Sequence, residues 1–190
     1  MKTGHKFLVL WLIIMFLVTF SSSLIYLITQ QTLRLGANEQ PVQLATDTAL
    51  KLENGQNAQQ AIPADKVNIA QSLAPFVMVF NKNNNLVATS GMMGNRSPVY
   101  PIGVFAAVNK NGEDRVTWQT QTGLRYATVA IKYSEGYIVA GKSLSETEKL
   151  IDKVGRLVGL AWLACALFSA LALVVLFSFI EKVFKLELMK

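Results

Sequence analysis

The chain has 190 residues, of which 52% are apolar and only 16% charged, against about 25% charged in an average soluble domain. Its single cysteine, Cys165, and single histidine, His5, exclude an internal disulfide, a zinc site of ordinary composition and a Ser/His/Asp or Cys/His catalytic set in the central region. The net charge of +6 is shared between the two ends and the middle of the chain with no basic stripe, so it gives no signal for nucleic acid.

In chain order, no charge falls between Lys6 and Arg34, and the apolar run Phe7 to Ile28 predicts a first transmembrane helix. A cleaved signal peptide is the competing reading, because Lys2, Lys6, Phe7 to Phe20 and Ser21 to Ser23 imitate its three regions. The apolar run resumes over Leu24 to Ile28, which is too long for a signal core and suits an anchor. A second uncharged window, between Arg156 and Glu181, predicts a second transmembrane helix over Leu157 to Ile180. Lys2 and Lys6 before the first span, and Lys182, Lys185 and Lys190 after the second, place both tails (1–6 and 181–190) in the cytoplasm. Residues 29–156 are then an extracytoplasmic domain of a plasma-membrane protein. Neither tail is long enough for a catalytic domain, which needs about 50 residues.

Within the central region, Gln30 to Asn38 extends the first helix and Pro41 opens another, with apolar or small residues at Ala45, Thr48, Ala49 and Leu52 and a stop at Asn54-Gly55. Gln56 to Gln60 reads as a loop, and Ala64 to Leu73 as a short helix between Pro63 and Pro75. The pattern then turns to sheet. Phe76 to Phe80 and Leu86 to Ser90 flank a polar linker and predict an antiparallel hairpin. Pro101 opens a helix that ends at Asn111-Gly112. Three strands follow, Arg115 to Thr122, Leu124 to Tyr133 and Tyr137 to Lys142, with Val116, Trp118 and Thr120 on one face of the first. Ser145-Glu146-Thr147-Glu148 has the form of a capping box, and its helix carries no stop before the second span.

This order, with Phe80 to Ser90, Gly103-Val104-Phe105, Gly112 to Gln119 and Ala140 to Glu148, resembles the extracytoplasmic PAS-like (single Cache) sensor domains of bacterial sensor histidine kinases and chemoreceptors. The resemblance covers about Pro75 to Val154 and implies an α+β sensing or regulatory fold. It does not imply kinase activity, because the relay module, phosphoacceptor helix and ATP domain of those kinases have no counterpart here.

Three motifs have plainer readings. Gly136 to Ser143 matches G-x-x-x-x-G-K-S, but Tyr-Ile-Val-Ala between the glycines is a strand and cannot wrap a phosphate. Asn81, Asn83 and Asn85 have calcium-loop spacing without the carboxylates that bind the ion, which leaves a hairpin turn. Asn95-Arg96-Ser97 is a glycosylation sequon followed by Pro98, and it carries no weight in a bacterial protein.

Arg115, Trp118, Arg125, Tyr126 and Lys132 are the candidate ligand residues, offering paired N–H donors and an aromatic wall to a small anionic metabolite. The alternative is that Trp118 and Tyr126 pack in the core while the cations are solvated; Arg125 and Tyr126 point to opposite faces of a strand in either case. Gly155, Gly159, Ala166 and Ala170 form a small-residue face on the second span, for a homodimer or for packing against Phe7 to Ile28. The expectation is a sensor-like protein, not an enzyme and without cofactor or metal. It passes binding of a ligand or envelope partner through its second span to a membrane partner such as a kinase or transporter. A structural or assembly subunit of an envelope complex is the alternative.

Overall fold

A computed structural model of the chain describes residues 3–187. Helix α1 (Thr3–Gly36) takes the uncharged run and the polar residues after it in one rod. Helix α2 (Glu39–Glu53) carries Pro41 in its first turn, where a missing N–H costs no helical bond, and ends at Asn54 with Gly55 at φ +85°. The expected loop at Gln56 to Gln60 is partly helical instead. There α3 (Ala58–Ala61) opens with a capping box, Asn57 Oδ1 accepting the Gln60 N–H at 3.0 Å and Gln60 Oε1 accepting the Asn57 N–H at 3.4 Å.

The helix expected over Ala64 to Leu73 does not form. Strand β1 (Val67–Asn68) and turns take its place, because Val67 and Asn68 find parallel partners in Gly91 and Met92 and Asn68 Oδ1 accepts the Ala70 N–H at 3.2 Å. Long-range pairing and an asparagine turn outweigh the weak helical spacing there.

Strands β2 (Phe76–Asn81) and β3 (Leu86–Thr89) form the expected hairpin. Asn81 Oδ1 accepts the N–H groups of Asn83 and Asn85, both at 3.0 Å, so the asparagine run serves the turn. After β4 (Gly91–Met92), helix α4 (Val104–Asn111) starts later than Pro101, since Pro101-Ile102-Gly103 is a tight turn with the Val104 N–H on the Pro101 carbonyl at 3.2 Å. Strands β5 (Glu113–Gln121), β6 (Leu124–Tyr133) and β7 (Gly136–Ser143) lie within two residues of the expected bounds. The main sheet has the order β3-β2-β7-β6-β5, antiparallel throughout. The P-loop look-alike is its central strand β7, paired on both sides.

Helix α5 (Ser145–Glu187) begins two residues after β7 ends. The capping box expected at its start is absent. The Ser145 N–H donates to Ser143 Oγ at 3.3 Å, and Glu148 pairs with Arg125 of β6 at 2.6 Å instead of folding back on the helix. A guanidinium offers a carboxylate a stronger partner than a single backbone N–H.

The chain divides into two compact units. In the helical unit, the described residues through Gln31 run beside those from Leu150 onward. Phe7 meets Phe177 edge-on at 5.2 Å, Trp11 Nε1 donates to Ser169 Oγ at 3.2 Å, and Trp162 Nε1 donates to Thr19 Oγ1 at 2.9 Å. The opposite sides expose Leu12, Phe16, Leu167 and Phe168. Both helices are long and apolar enough to cross a membrane. Lys2 and Lys190, which enter the orientation argument, lie outside the described residues.

In the sheet unit (Thr32–Lys149), strand alternation splits the core in two. Val77, Val79, Ala88, Ile138 and Ala140 pack against α2 through Ala45 and Leu52. On the other face, Phe76, Met78, Phe80, Trp118, Tyr126, Tyr137 and Val139 pack against Tyr100, Phe105 and Val108.

Candidate functional site

The face beneath α4, which holds the candidate ligand residues Trp118 and Tyr126, is filled with rings. Phe105 stacks on Tyr137 at 4.3 Å, Phe80 meets Phe105 at 5.2 Å, Tyr100 meets Trp118 at 5.3 Å, and Trp118 lies 5.5 Å from Tyr126. Their hydroxyls are satisfied within the core. Tyr126 donates to the Ile69 carbonyl at 2.9 Å, Tyr100 Oη and Thr128 Oγ1 share a bond at 3.1 Å, and Asn109 Nδ2 donates to Tyr137 Oη at 2.6 Å. Burial raises the pKa of Tyr100 and Tyr126 above the ordinary phenol value, and burial together with the carboxylates of Glu135 and Glu53 raises that of Tyr133. These phenols therefore stay protonated at neutral pH and are not bases.

The five candidate ligand residues do not converge. Trp118 and Tyr126 are partners in register on β5 and β6, both buried. Arg115 and Arg125 point to the other face of the sheet, where Arg115 pairs with Glu113 and Arg125 with Glu148. Both pairs are partly exposed, so each is worth about 0–1 kcal/mol, yet both guanidinium groups are engaged. Lys132 lies at the far end of β6, opposite Tyr137, and is exposed.

The sheet unit opens elsewhere, in a cleft of about 760 Å³ between Met93–Val99 and the end of β5. That volume lies in the range of ligand sites, roughly 300–1,000 Å³. Gly94, at φ +60°, lets the loop turn tightly enough for Met93 and Arg96 to exchange main-chain bonds at 2.8 and 3.3 Å. Gln121 Nε2 contacts Met93 Sδ at 3.6 Å and ties loop to strand. Trp118, Val99 and Met93 supply apolar surface, Gln119 and Gln121 supply amides, and Arg96 is the one charged residue in the lining. With no carboxylate there, the cleft suits neutral or anionic groups and holds no general base.

Of the expected residues only Trp118 reaches this cleft. The loop has no hydrophobic period to reveal it. Its signals are Gly94 and the closely spaced Pro98 and Pro101, marking a long connection that leaves Val99 88% exposed. Among the described residues, no group of three or more His, Cys, Asp or Glu is placed to hold a metal ion.

In the helical unit, a Cβ on Gly155 would lie 3.1 Å from the Tyr26 ring, so the chain's own α1 occupies that position. Ala170 faces α1 across a groove shared with Phe7 and Trp11. Gly159 has open space around it, and the Ala166 carbonyl accepts the Ser169 hydroxyl at 3.0 Å.

Neither a family model, nor a curated protein, nor a solved structure matches the chain.

Proposed function

We propose that the chain is a two-span plasma-membrane protein with both tails in the cytoplasm, whose sheet unit is an extracytoplasmic PAS-like input domain without enzymatic activity. It receives a ligand or envelope partner and passes that event along α5 to a membrane partner, a kinase or transporter. The observation that carries this reading is the position of α5. One uninterrupted helix begins two residues after the central strand of the sheet and includes the apolar run Leu157 to Ile180. The order of hairpin, helix and three strands on one antiparallel sheet supports the PAS-like part.

The ring-filled α4 face favours a second reading, a structural or assembly subunit with no small-molecule ligand. Thermal unfolding of the full chain in nanodiscs against a panel of neutral and anionic metabolites separates the two. An input domain with a small ligand gains about 2.7 kcal/mol at a hundredfold excess over Kd, and its midpoint rises. The rise is expected to shrink in Arg96→Gln, which keeps the fold. No rise with any compound, with one envelope protein co-purifying in stoichiometric amount, would favour the subunit.

A further inference from the structure

Strand β5 is an edge of the sheet, and its outward main chain is open where it borders the cleft. The Lys132 N–H donates to the Gly112 carbonyl at 3.4 Å, which makes residues 112, 114, 116 and 118 the set bonded to β6. The N–H and C=O groups of Thr117 and Gln119 therefore face away from β6. Neither has a main-chain partner outside the sheet ladder among the described residues.

The two edges of the sheet are unlike. β3 has four residues and is backed by α3, with Gln59 Nε2 on the Val87 carbonyl at 3.4 Å. β5 has nine, with its charges gathered at Glu113, Asp114 and Arg115. Charge, proline, bulges and covering elements are the usual means of closing an edge. The charges close one half of β5; the uncharged half is regular from Val116 to Gln119, shifts register between Gln119 and Gln121, and runs to the cleft.

We propose that the edge of β5 and the cleft together take an extended peptide segment of a partner protein, added as a further strand beside Thr117 and Gln119. An extended backbone meets outward N–H and C=O groups at the spacing a strand presents them, which a small metabolite cannot do. The segment is neutral or acidic, because Arg96 is the single charge in the lining and no carboxylate faces it. The inference rests on the reading of the sheet unit as an input domain and names what that domain receives.

The test pans a display library of random linear peptides on the full chain in nanodiscs and measures recovered peptides against variants. Gln119→Pro removes one outward N–H and leaves the bonds to β6, since an edge strand accepts proline where its N–H faces out. Binding is expected to weaken about tenfold in Gln119→Pro and in Thr117→Pro. In Arg96→Gln, acidic peptides weaken about tenfold while neutral ones are unaffected. In the unaltered chain, bound peptide should slow hydrogen exchange at the Thr117 and Gln119 amides, a readout that needs no variant to fold. Recovery of no peptide, or binding that leaves those amides exchanging at the free rate, would overturn the proposal. A metabolite that raises the unfolding midpoint without slowing them would retain the input domain and remove the peptide; no effect from either would remove both.

Discussion

Gly136→Ala is expected to abolish folding of the sheet unit. Gly136 opens β7 at φ +155°, with β2 passing so close that a Cβ would lie 2.1 Å from the Phe80 carbonyl oxygen and 2.7 Å from the Asn81 carbonyl carbon. Both obstructing groups are main chain, and they belong to the Phe80–Tyr137 and Asn81–Gly136 pairings that hold β2 against β7. Relief requires the end of that ladder to separate. The expected cost exceeds about 4 kcal/mol, which places it among the rare severe substitutions and close to the whole stability of a small domain. Gly123→Ala is the control, with φ +82° but nothing within 4 Å of the added Cβ; it is expected to cost about 1 kcal/mol. Circular dichroism and thermal melts of the purified chains check both, and a wild-type melt for Gly136→Ala would refute the close approach.

Phe76→Ala is the second large effect, expected at about 3–5 kcal/mol. The ring is 1% exposed and lies 5.7 Å from Tyr126 and 6.2 Å from Trp118. Two glycines make its space. A Cβ on Gly141 would stand 2.6 Å from Phe76 Cζ and 2.9 Å from Thr128 Cγ2, and one on Gly91 3.0 Å from Phe76 Cδ2. Gly141→Ala alone is therefore an overpacking change of about 1–3 kcal/mol. In a Phe76→Leu background the ring tip is gone and only Thr128 Cγ2 still stands close, so the cost of Gly141→Ala should fall below its value alone. Strict additivity of the two in denaturant unfolding would mean that the ring and the glycine do not touch.

Elements whose cause is local were legible in the sequence. The uncharged windows became α1 and α5, Pro41 fell in the first turn of α2 and Asn54-Gly55 ended it, and the Asn81 side chain turned the first hairpin. Strand alternation was enough to foresee that Arg125 and Tyr126 face opposite ways. What stayed hidden depends on partners far along the chain. Val67 and Asn68 became a strand because Gly91 and Met92 lie beside them, and no capping box forms at Ser145 because the helix starts one residue earlier, with the Glu148 N–H on the Leu144 carbonyl and its carboxylate on Arg125. The cleft was hidden for the same reason: it exists only where Met93–Val99 folds back on the end of β5, and no period in the sequence records that meeting.

The account depends most on which side of the membrane holds the sheet unit. Cys165 is the sole cysteine, so Cys165→Ser gives a background in which one introduced thiol reports one place. Asn83→Cys sits on the exposed turn between β2 and β3, and His5→Cys in the N-terminal tail. With a membrane-impermeant maleimide on intact cells, Asn83→Cys is predicted to label at once and His5→Cys only after lysis. Labelling of His5→Cys in intact cells, with Asn83→Cys protected until lysis, would contradict the account.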